Sequence, residues 1–498
     1  MGVLEARAAI RSDLPRVAIE APAGCGKTFE AVGGAGALSQ GFPDGRELLL
    51  LAHTNAAVGE FRRRVRQSGV RVRACTLDAF ALEIVARYAQ PLGLPAPVVP
   101  GDGPNQVAFR DLAPKAVELL RRAPTLARAI GRHYPVVFVD EHQDTRVEQH
   151  ELIMLIVEAG GARLRTFADP MQAIYGIDPL VDWDHHCREA DRVERLEDPH
   201  RWEEEPQLGE WIMLAREAMR NGRVLPLGSS PGCVRELRVR ELTDVRNPSS
   251  RQVQPALLGP LNGVVRGLEG SVAVLTRYNA HVRGLNSSLR GSVVIQEGAE
   301  FRPAYTALGR AEDSLGDRQA MALALIDLLA ETCTGLTKDH MRQLDDSLLP
   351  DSIDRGRRQR IRPLLDCLEP LYATPDLDAW CRALACILTH PPDWLRIDLP
   401  LNLQVVAQLH PSDEDSARVL LDIATRRRRE GAPHPHRCVS TIHKAKGQEY
   451  DHVIVVNCGE SGFPDTGEGR RLIYTAMSRA KRSLTLVVPG EGASPLVG

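Results

Sequence analysis

The chain has 498 residues, more than one hydrophobic core can organise, so about two to four domains are expected. Hydrophobic residues at 43% and charged residues at 26% exclude a disordered or low-complexity chain. A formal net charge of −3 excludes nucleic-acid binding by bulk charge, so any such contact must use local basic surface.

Val17 to Ile19 predicts a short buried strand. It leads into Ala21-Pro22-Ala23-Gly24-Cys25-Gly26-Lys27-Thr28 and then a helix. Strand, glycine-bearing loop, Lys-Thr and helix is the P-loop arrangement, with Ala21 where the strict pattern has glycine. Gly24 and Gly26 let backbone N–H groups curl around a phosphate, and the helix start adds partial positive charge. Lys27 can reach β- and γ-phosphates, and Thr28 can ligate Mg²⁺. A glycine turn before any helix looks similar, so the segment needs partners.

Leu48 to Ala52 predicts a second buried strand, followed by His53-Thr54-Asn55-Ala56-Ala57 and a basic helix with Phe61-Arg62-Arg63-Arg64. Val70 to Thr76 alternates as a strand does, and Thr76 or Asp78 can cap the next helix. Tyr88 to Pro104 is rich in Pro and Gly and reads as a loop or small insertion. Pro135-Val136-Val137-Phe138-Val139-Asp140-Glu141 is an apolar strand ending in two acids. In isolation this reads as a solvated turn. Behind a P-loop it is a Walker B arrangement, in which Asp140 holds Mg²⁺ and Glu141 polarises the attacking water. Arg163 to Ala168 is a further strand, ending in Asp169-Pro170-Met171-Gln172-Ala173-Ile174-Tyr175-Gly176. Strands alternating with helices predict an α/β fold with a parallel sheet and ligand residues at the strands' carboxyl ends.

Arg195 to Trp202 opens a new unit, and Ala273 to Leu275 is a strand followed by Thr276-Arg277-Tyr278-Asn279. From Pro303 to Arg429 an all-helical insertion is expected, with helical apolar spacing over Gln319–Ala330 and Ala379–Leu388. Its arginine-rich runs, Arg355 to Arg362 and Arg426 to Arg429, read as solvated faces. Sheet character returns with a strand at Val453 to Val456, a helix over Arg471 to Lys481 and a last strand at Leu484 to Val488. His434 and His436 sit in a Pro-rich loop without ligand-like partners. No stretch is long and apolar enough to span a membrane, and Met1 to Arg16 has no apolar run of a secretory signal. No membrane contact and a cytoplasmic location are therefore expected. The ten cysteines follow no zinc or iron–sulfur spacing, the nearest pair being Cys381 and Cys386, and reduced thiols are expected.

Taken in order, these segments resemble superfamily 1A helicases, the UvrD/Rep/PcrA group. The P-loop resembles motif I, His53 to Ala57 motif Ia, and Thr76 to Phe80 motif Ib. Asp140-Glu141-His142-Gln143-Asp144-Thr145 is similar to the family's Asp-Glu-Phe-Gln-Asp motif II, and Asp169 to Gly176 to motif III. His200-Arg201 sits where motif IV has Tyr-Arg. His443 to Tyr450 resembles motif V, and Ser478-Arg479-Ala480 motif VI. The resemblance implies two RecA-like P-loop NTPase domains, parallel sheets flanked by helices, with a small insertion in the first and a helical insertion in the second. It places the first domain at 1–195 with an insertion at about 83–130, the second at 196–302 and 430–498, and the helical insertion at 303–429.

The resemblance also implies roles. Glu141, Lys27, Gln172, Arg201 and Arg479 would be catalytic, the two arginines arriving at the γ-phosphate from the second domain. Ala21, Pro22, Ala23, Gly24, Cys25, Gly26, Lys27, Thr28, Phe29, Gln143, His200 and Glu449 would bind nucleotide, Glu449 at the ribose and Gln143 as γ-phosphate sensor. Thr28 and Asp140 would hold the metal. His53, Thr54, Asn55, Thr76, Tyr175, Thr441 and His443 would face single-stranded DNA. ATP and Mg²⁺ are the implied cofactors, and single-stranded DNA the implied partner. Translocation would run 3′ to 5′, in DNA repair or antiviral defence.

Departures from the family sharpen these expectations. No glutamine between Met1 and Arg16 fits the family's adenine reader, and Phe29 and His200 stand at its adenine-sandwiching positions, which predicts relaxed nucleotide choice. His53 replaces a usual Phe, and Ile177 a usual Trp, which removes stacking platforms worth about 1–3 kcal/mol per base. The two insertions are shorter than in full-length relatives, and no nuclease-like segment follows motif VI. A compact motor of this kind resembles helicase subunits that work beside a separate nuclease, including the Gabija type of anti-phage defence. The alternative function is thus an ATP-gated regulatory component of a nuclease complex, with weak unwinding of its own.

Overall fold

The computed structural model describes residues 2–39, 42, 45–66, 71–94, 98, 107–175, 179–239, 255–289, 291–296, 302–348, 360–398, 400–407, 435–490 and 493–497. The chain divides into two compact units, Met1–His281 with Ser440–Gly498, and Val282–Val439.

The first unit opens with a six-stranded sheet: β1 (Arg16–Glu20), β2 (Leu48–Ala52), β3 (Val72–Thr76), β4 (Val136–Val139), β5 (Arg163–Ala168) and β6 (Arg192–Arg195). The order is β3-β2-β4-β5-β1-β6, and every neighbouring pair is parallel. Helices cover both faces, which is why β2 is an unbroken buried apolar run. Successive side chains point to opposite faces. Leu48 and Leu50 therefore pack with Val17, Ile19, Phe138 and Phe167, while Leu49 and Leu51 join Val137, Val139 and Leu164. Helices Gly2–Arg11 and Lys27–Ser39 close the first layer, and Leu77–Arg87, Phe109–Arg122 and Val147–Gly160 the second. Arg7 pairs with Glu30 at 2.7 Å, tying the opening helix to the one after the P-loop.

The same unit carries strands Val234–Val239, Ala480–Pro489, Tyr450–Val455 and Val272–Thr276, which lie side by side in that order, all parallel. Two parallel sheets flanked by helices are the expected pair of RecA-like domains. The late helix runs Gly467–Met477 and not to Lys481. Pairing of Ala480 with Tyr450 draws the chain into the strand early, so Arg479 sits at the helix-to-strand junction.

The second unit buries Leu325, Leu329, Trp380 and Leu384 among helices that include Arg318–Thr332 and Leu377–Thr389. Both cover the segments with helical apolar spacing. The expectation of an all-helical insertion needs correction. Cys333–Thr334 pairs antiparallel with Arg396–Ile397, because the chain turns extended at Cys333 and Asp398 N–H then satisfies the Thr332 carbonyl at 2.9 Å. The expectation of ten reduced thiols also needs correction. Cys367 and Cys386 form a disulfide, their Cα atoms brought to 5.5 Å by two packed helices that sequence spacing does not reveal. Residues 355–359 and 426–429 of the arginine runs, His434, Gly176 and Ile177 lie outside the described residues. No helix among the described residues is long and apolar enough to cross a membrane.

Candidate active site

The P-loop leaves the carboxyl end of β1 and enters helix Lys27–Ser39 at once. Gly24 and Gly26 have φ of 77° and 78°, left-handed values that favour glycine. A Cβ on Gly24 would also lie 2.8 Å from the Arg201 Cβ, so the tight packing of loop on turn needs glycine there. Ala21, Pro22, Ala23 and Cys25 are buried and fix the loop from behind, while Lys27 and Thr28 begin the helix. The first N–H groups of a helix have no partner within it and favour an anion. Phe29, one residue on, is 60% exposed.

Asp140 and Glu141 follow β4. Lys27 Nζ lies 2.7 Å from a Glu141 carboxylate oxygen. Burial alone would raise the Glu141 pKa, but Lys27 and Lys446 hold it well below the usual carboxylate range. Burial first, then Glu141, push Asp140 up instead. Glu141 adopts φ 53°, ψ 43°, a conformation uncommon outside glycine that costs of order 1–3 kcal/mol. Gln143 donates to Glu141 at 2.5 Å and accepts from the Asp169 N–H at 3.0 Å, so it links the ends of β4 and β5. Lys446 donates to Asp144 and, at 2.6 Å, to the Gln172 carbonyl.

β5 lies between the P-loop strand and the acidic strand, so Asp169, which follows it directly, falls between the two sites. Its fully buried carboxylate accepts from Gln172 Nε2 at 2.8 Å, Tyr474 OH at 3.0 Å and the P-loop Ala23 N–H at 3.1 Å. It also pairs with Arg216 at 2.9 Å, and Arg216 in turn pairs with Glu20 at 2.8 Å. The sequence shows Asp169 at a strand end without marking a role for it, and Arg216, Glu20 and Tyr474 go unmarked altogether. An acid closing an apolar strand was a usable signal for Asp169. Arg216, inside helix Pro206–Arg220, carried no local signal.

The turn His200–Trp202 packs on the P-loop: the Arg201 N–H donates to the Gly24 carbonyl at 3.2 Å, and the Trp202 indole donates to the Ala480 carbonyl at 2.7 Å. The Arg201 guanidinium donates to the Ser478 carbonyl and to Glu449 at 2.6 Å. The His200 ring lies 3.4 Å from the position a Gly26 Cβ would take. Arg479 is buried and donates to the Gln172 side chain at 2.7 Å. Lys27, Glu141, Gln143, Gln172, Arg201, Arg479, His200 and Glu449 thus fall on one connected set of contacts around the loop.

Several expected strand-facing residues serve local structure. Thr54, Thr76 and Thr441 accept helix-opening N–H groups from Ala57, Ala79 and Lys444, and Asn55 opens its helix. Tyr175 is 41% exposed, bonds the His443 carbonyl at 3.4 Å and lies under the Lys446 ammonium, 4.9 Å from its ring centroid. His443 bonds the Ile174 carbonyl at 3.2 Å. The His53 ring meets Thr145 Oγ1 at 3.1 Å, and burial, aided by Lys446, lowers its pKa to about 4 from an ordinary 6.5.

That shift has a pH signature. Between 6.5 and about 4 the unfolded chain binds the proton and the folded chain does not. The stability His53 contributes is whole above 6.5 and is lost as pH falls toward 4, at about 1.4 kcal/mol per pH unit. From about pH 7 to pH 5, wild type should lose about 2 kcal/mol more than His53→Asn. Urea midpoints at both pH values read the difference, and parallel slopes in the two proteins would reject it.

A glycine-lined loop, a lysine against an acidic strand end and two parallel sheets define a P-loop NTPase with two RecA-like domains. Residues 102–177 match the UvrD/REP helicase N-terminal domain, and residues 436–487 match the UvrD-like helicase C-terminal domain. The first span holds Asp140 to Tyr175, the second Thr441 to Arg479. A subunit of an ATP-dependent helicase/nuclease from Lactococcus lactis subsp. lactis (strain IL1403) is 32% identical over 72 residues. That alignment covers 14% of this chain and spans 6% of the length of the relative. These matches and the fold support a UvrD/Rep-like superfamily 1 helicase.

Proposed function

We propose that this chain hydrolyses ATP between its two RecA-like domains and uses the cycle to move along single-stranded DNA, 3′ to 5′. The convergence of Lys27 with Glu141, and of Arg479 with Gln172, around one glycine-lined loop carries this reading. The working division remains 1–195 for the first domain, 196–302 with 430–498 for the second, and 303–429 for the insertion.

The residues present fit a nucleoside triphosphate with a hard divalent cation: the loop geometry favours phosphate, and Thr28 and Asp140 offer oxygen ligands. Mg²⁺ held there would neutralise charge between the β- and γ-phosphate oxygens. Lys27 leaves its ion pair with Glu141 to bind phosphate. Glu141, held ionised, is then free to orient and deprotonate water, and Gln143 follows its movement. Arg201 and Arg479 supply fixed positive charge to the transferring phosphoryl group. Thr54, Asn55, Thr76, Tyr175, Thr441 and His443 line the proposed strand path, with His53 behind it. Phe29 and His200 offer ring faces to the base without edge recognition, so ATP, GTP and CTP should be hydrolysed at comparable rates.

The deciding experiment is Glu141→Gln. Turnover stimulated by single-stranded DNA should fall by about 10²–10⁴ while nucleotide still binds. Unchanged turnover would remove Glu141 from its role, and a tenfold or greater preference for ATP would refute relaxed selectivity. The name of the Lactococcus relative, a helicase/nuclease subunit, favours a second reading, an ATP-gated component of a nuclease complex. DNA-stimulated hydrolysis without strand displacement, with displacement restored by a nuclease partner, would select it.

A further inference from the structure

Beside the acidic turn lies a cluster that no step above uses. His142 follows Glu141 directly, His150 lies in helix Val147–Gly160, and His186 lies in helix Trp183–Glu189. One nitrogen from each falls within 4.8 Å of the other two. The ring centroids are 4.5 Å apart for His142 and His186, 5.1 Å for His142 and His150, and 5.4 Å for His150 and His186. His142 is fully buried and His186 nearly so.

The polar accounting is incomplete without a further partner. His142 Nδ1 is taken by Thr145 Oγ1 at 3.2 Å, and His186 Nε2 by Thr166 Oγ1 at 2.9 Å. His142 Nε2 and His150 Nδ1 are buried and have no hydrogen-bond partner. Buried polar atoms are normally satisfied, so unpaired nitrogens from two elements beside a third imidazole call for a common ligand. A donor serving all of them would need several directed N–H groups at one point. A cation meets the requirement with one atom.

We propose that His142, His150 and His186 form a binding site for one borderline-soft divalent transition metal of the zinc class. Neutral imidazoles suit such ions, and hard cations such as Mg²⁺ prefer oxygen. Burial, with the neighbouring imidazoles adding to it at His142 and His186, favours the neutral form the ion needs. Three histidines with a fourth position open is an established zinc geometry. Bonds of about 2.0–2.1 Å would bring the three nitrogens to within roughly 3.3 Å of one another, a closure that small ring rotations supply. The Thr145 and Thr166 hydroxyls already hold the far nitrogens of two rings, as partners behind metal ligands do. The half-buried His150 supplies the entry side. Bound ion would brace two helices against the turn that carries Glu141 to Asp144.

The test uses the full chain without a histidine tag, stripped with chelator and titrated with Zn²⁺ by calorimetry, and with Co²⁺ followed by its visible bands. Wild type should take up one Zn²⁺ per chain with a Kd in the micromolar range or below, and bind Co²⁺ with absorption of a nitrogen-rich four-coordinate site. His150→Ala and, separately, His186→Asn should each weaken Zn²⁺ by about tenfold to a hundredfold. Circular dichroism in chelator shows whether each variant is folded, and His150, the most accessible of the three, is the safer change. Zn²⁺ should raise the melting temperature of wild type and not of His150→Ala. No stoichiometric uptake, uptake spread over several weak sites, or equal uptake by wild type and folded His150→Ala would each overturn the proposal.

Discussion

Asp169→Ala should destabilise the first unit by about 3–5 kcal/mol, the range for removing one partner of a buried ion pair. The reason is the number of groups that depend on this carboxylate. Arg216 loses one of its two buried anions, and Gln172 Nε2, Tyr474 OH and the Met171 and Ala23 N–H groups lose an acceptor away from water. Burial disfavours the Asp169 charge, yet Arg216 and Lys27 hold its pKa below the ordinary value, so the folded protein keeps it ionised. Asp169→Asn keeps shape and one acceptor and should cost less. In a cycle with Arg216→Met, the double variant should recover part of the sum, because neither charge is then left alone. Urea denaturation followed by the fluorescence of the buried Trp202 and Trp211 reads wild type and all four variants. A loss below 1 kcal/mol for Asp169→Ala would show that the carboxylate is not the hub its contacts describe.

The same network marks what a sequence can and cannot disclose. The P-loop, the acidic strand end and the first sheet were legible because their signals are local: apolar runs of strand length, glycines at fixed offsets, an acid directly after the strand. Arg479 was legible through the late Ser-Arg-Ala segment. Arg216 was not, because its partners Glu20 and Asp169 are far away in the chain and its own helix reads as an ordinary amphipathic one. The antiparallel pair at Cys333–Thr334 and Arg396–Ile397 was hidden for a similar reason, since two residues per strand give no alternation to count. The Cys367–Cys386 pair depends on helix packing rather than spacing. His142 stood in plain view inside motif II, but its companions come from two other helices.

Arg479→Ala should lower DNA-stimulated ATP hydrolysis by about 10³–10⁵, the range for loss of an arginine that completes a phosphoryl-transfer site. Nucleotide binding should fall far less, because the loop, Lys27 and Thr28 remain. The residue is well prepared for this task. It sits where helix Gly467–Met477 gives way to the strand from Ala480, and its Nε donates to the Thr475 carbonyl at 3.0 Å, which fixes its direction. Burial and the nearby Arg201 lower its pKa to about 10, so it remains charged at neutral pH while being held in a desolvated setting. Charge in such a setting acts more strongly on a developing anion than charge in water. Its Nη2 is already 2.7 Å from the Gln172 side chain, which in turn reaches Asp169 and so the P-loop N–H of Ala23. These contacts join the helix-to-strand junction at Arg479 to the P-loop. Arg479→Lys should recover little, because an ammonium keeps the charge but cannot hold Thr475, Ser478 and Gln172 with one planar group. Single-turnover hydrolysis with saturating ATP separates the chemical step from binding. Near-wild-type single-turnover rates in Arg479→Ala would assign the guanidinium to holding the lobes together and leave Arg201 as the remaining arginine proposed to stabilise charge at the transferring group.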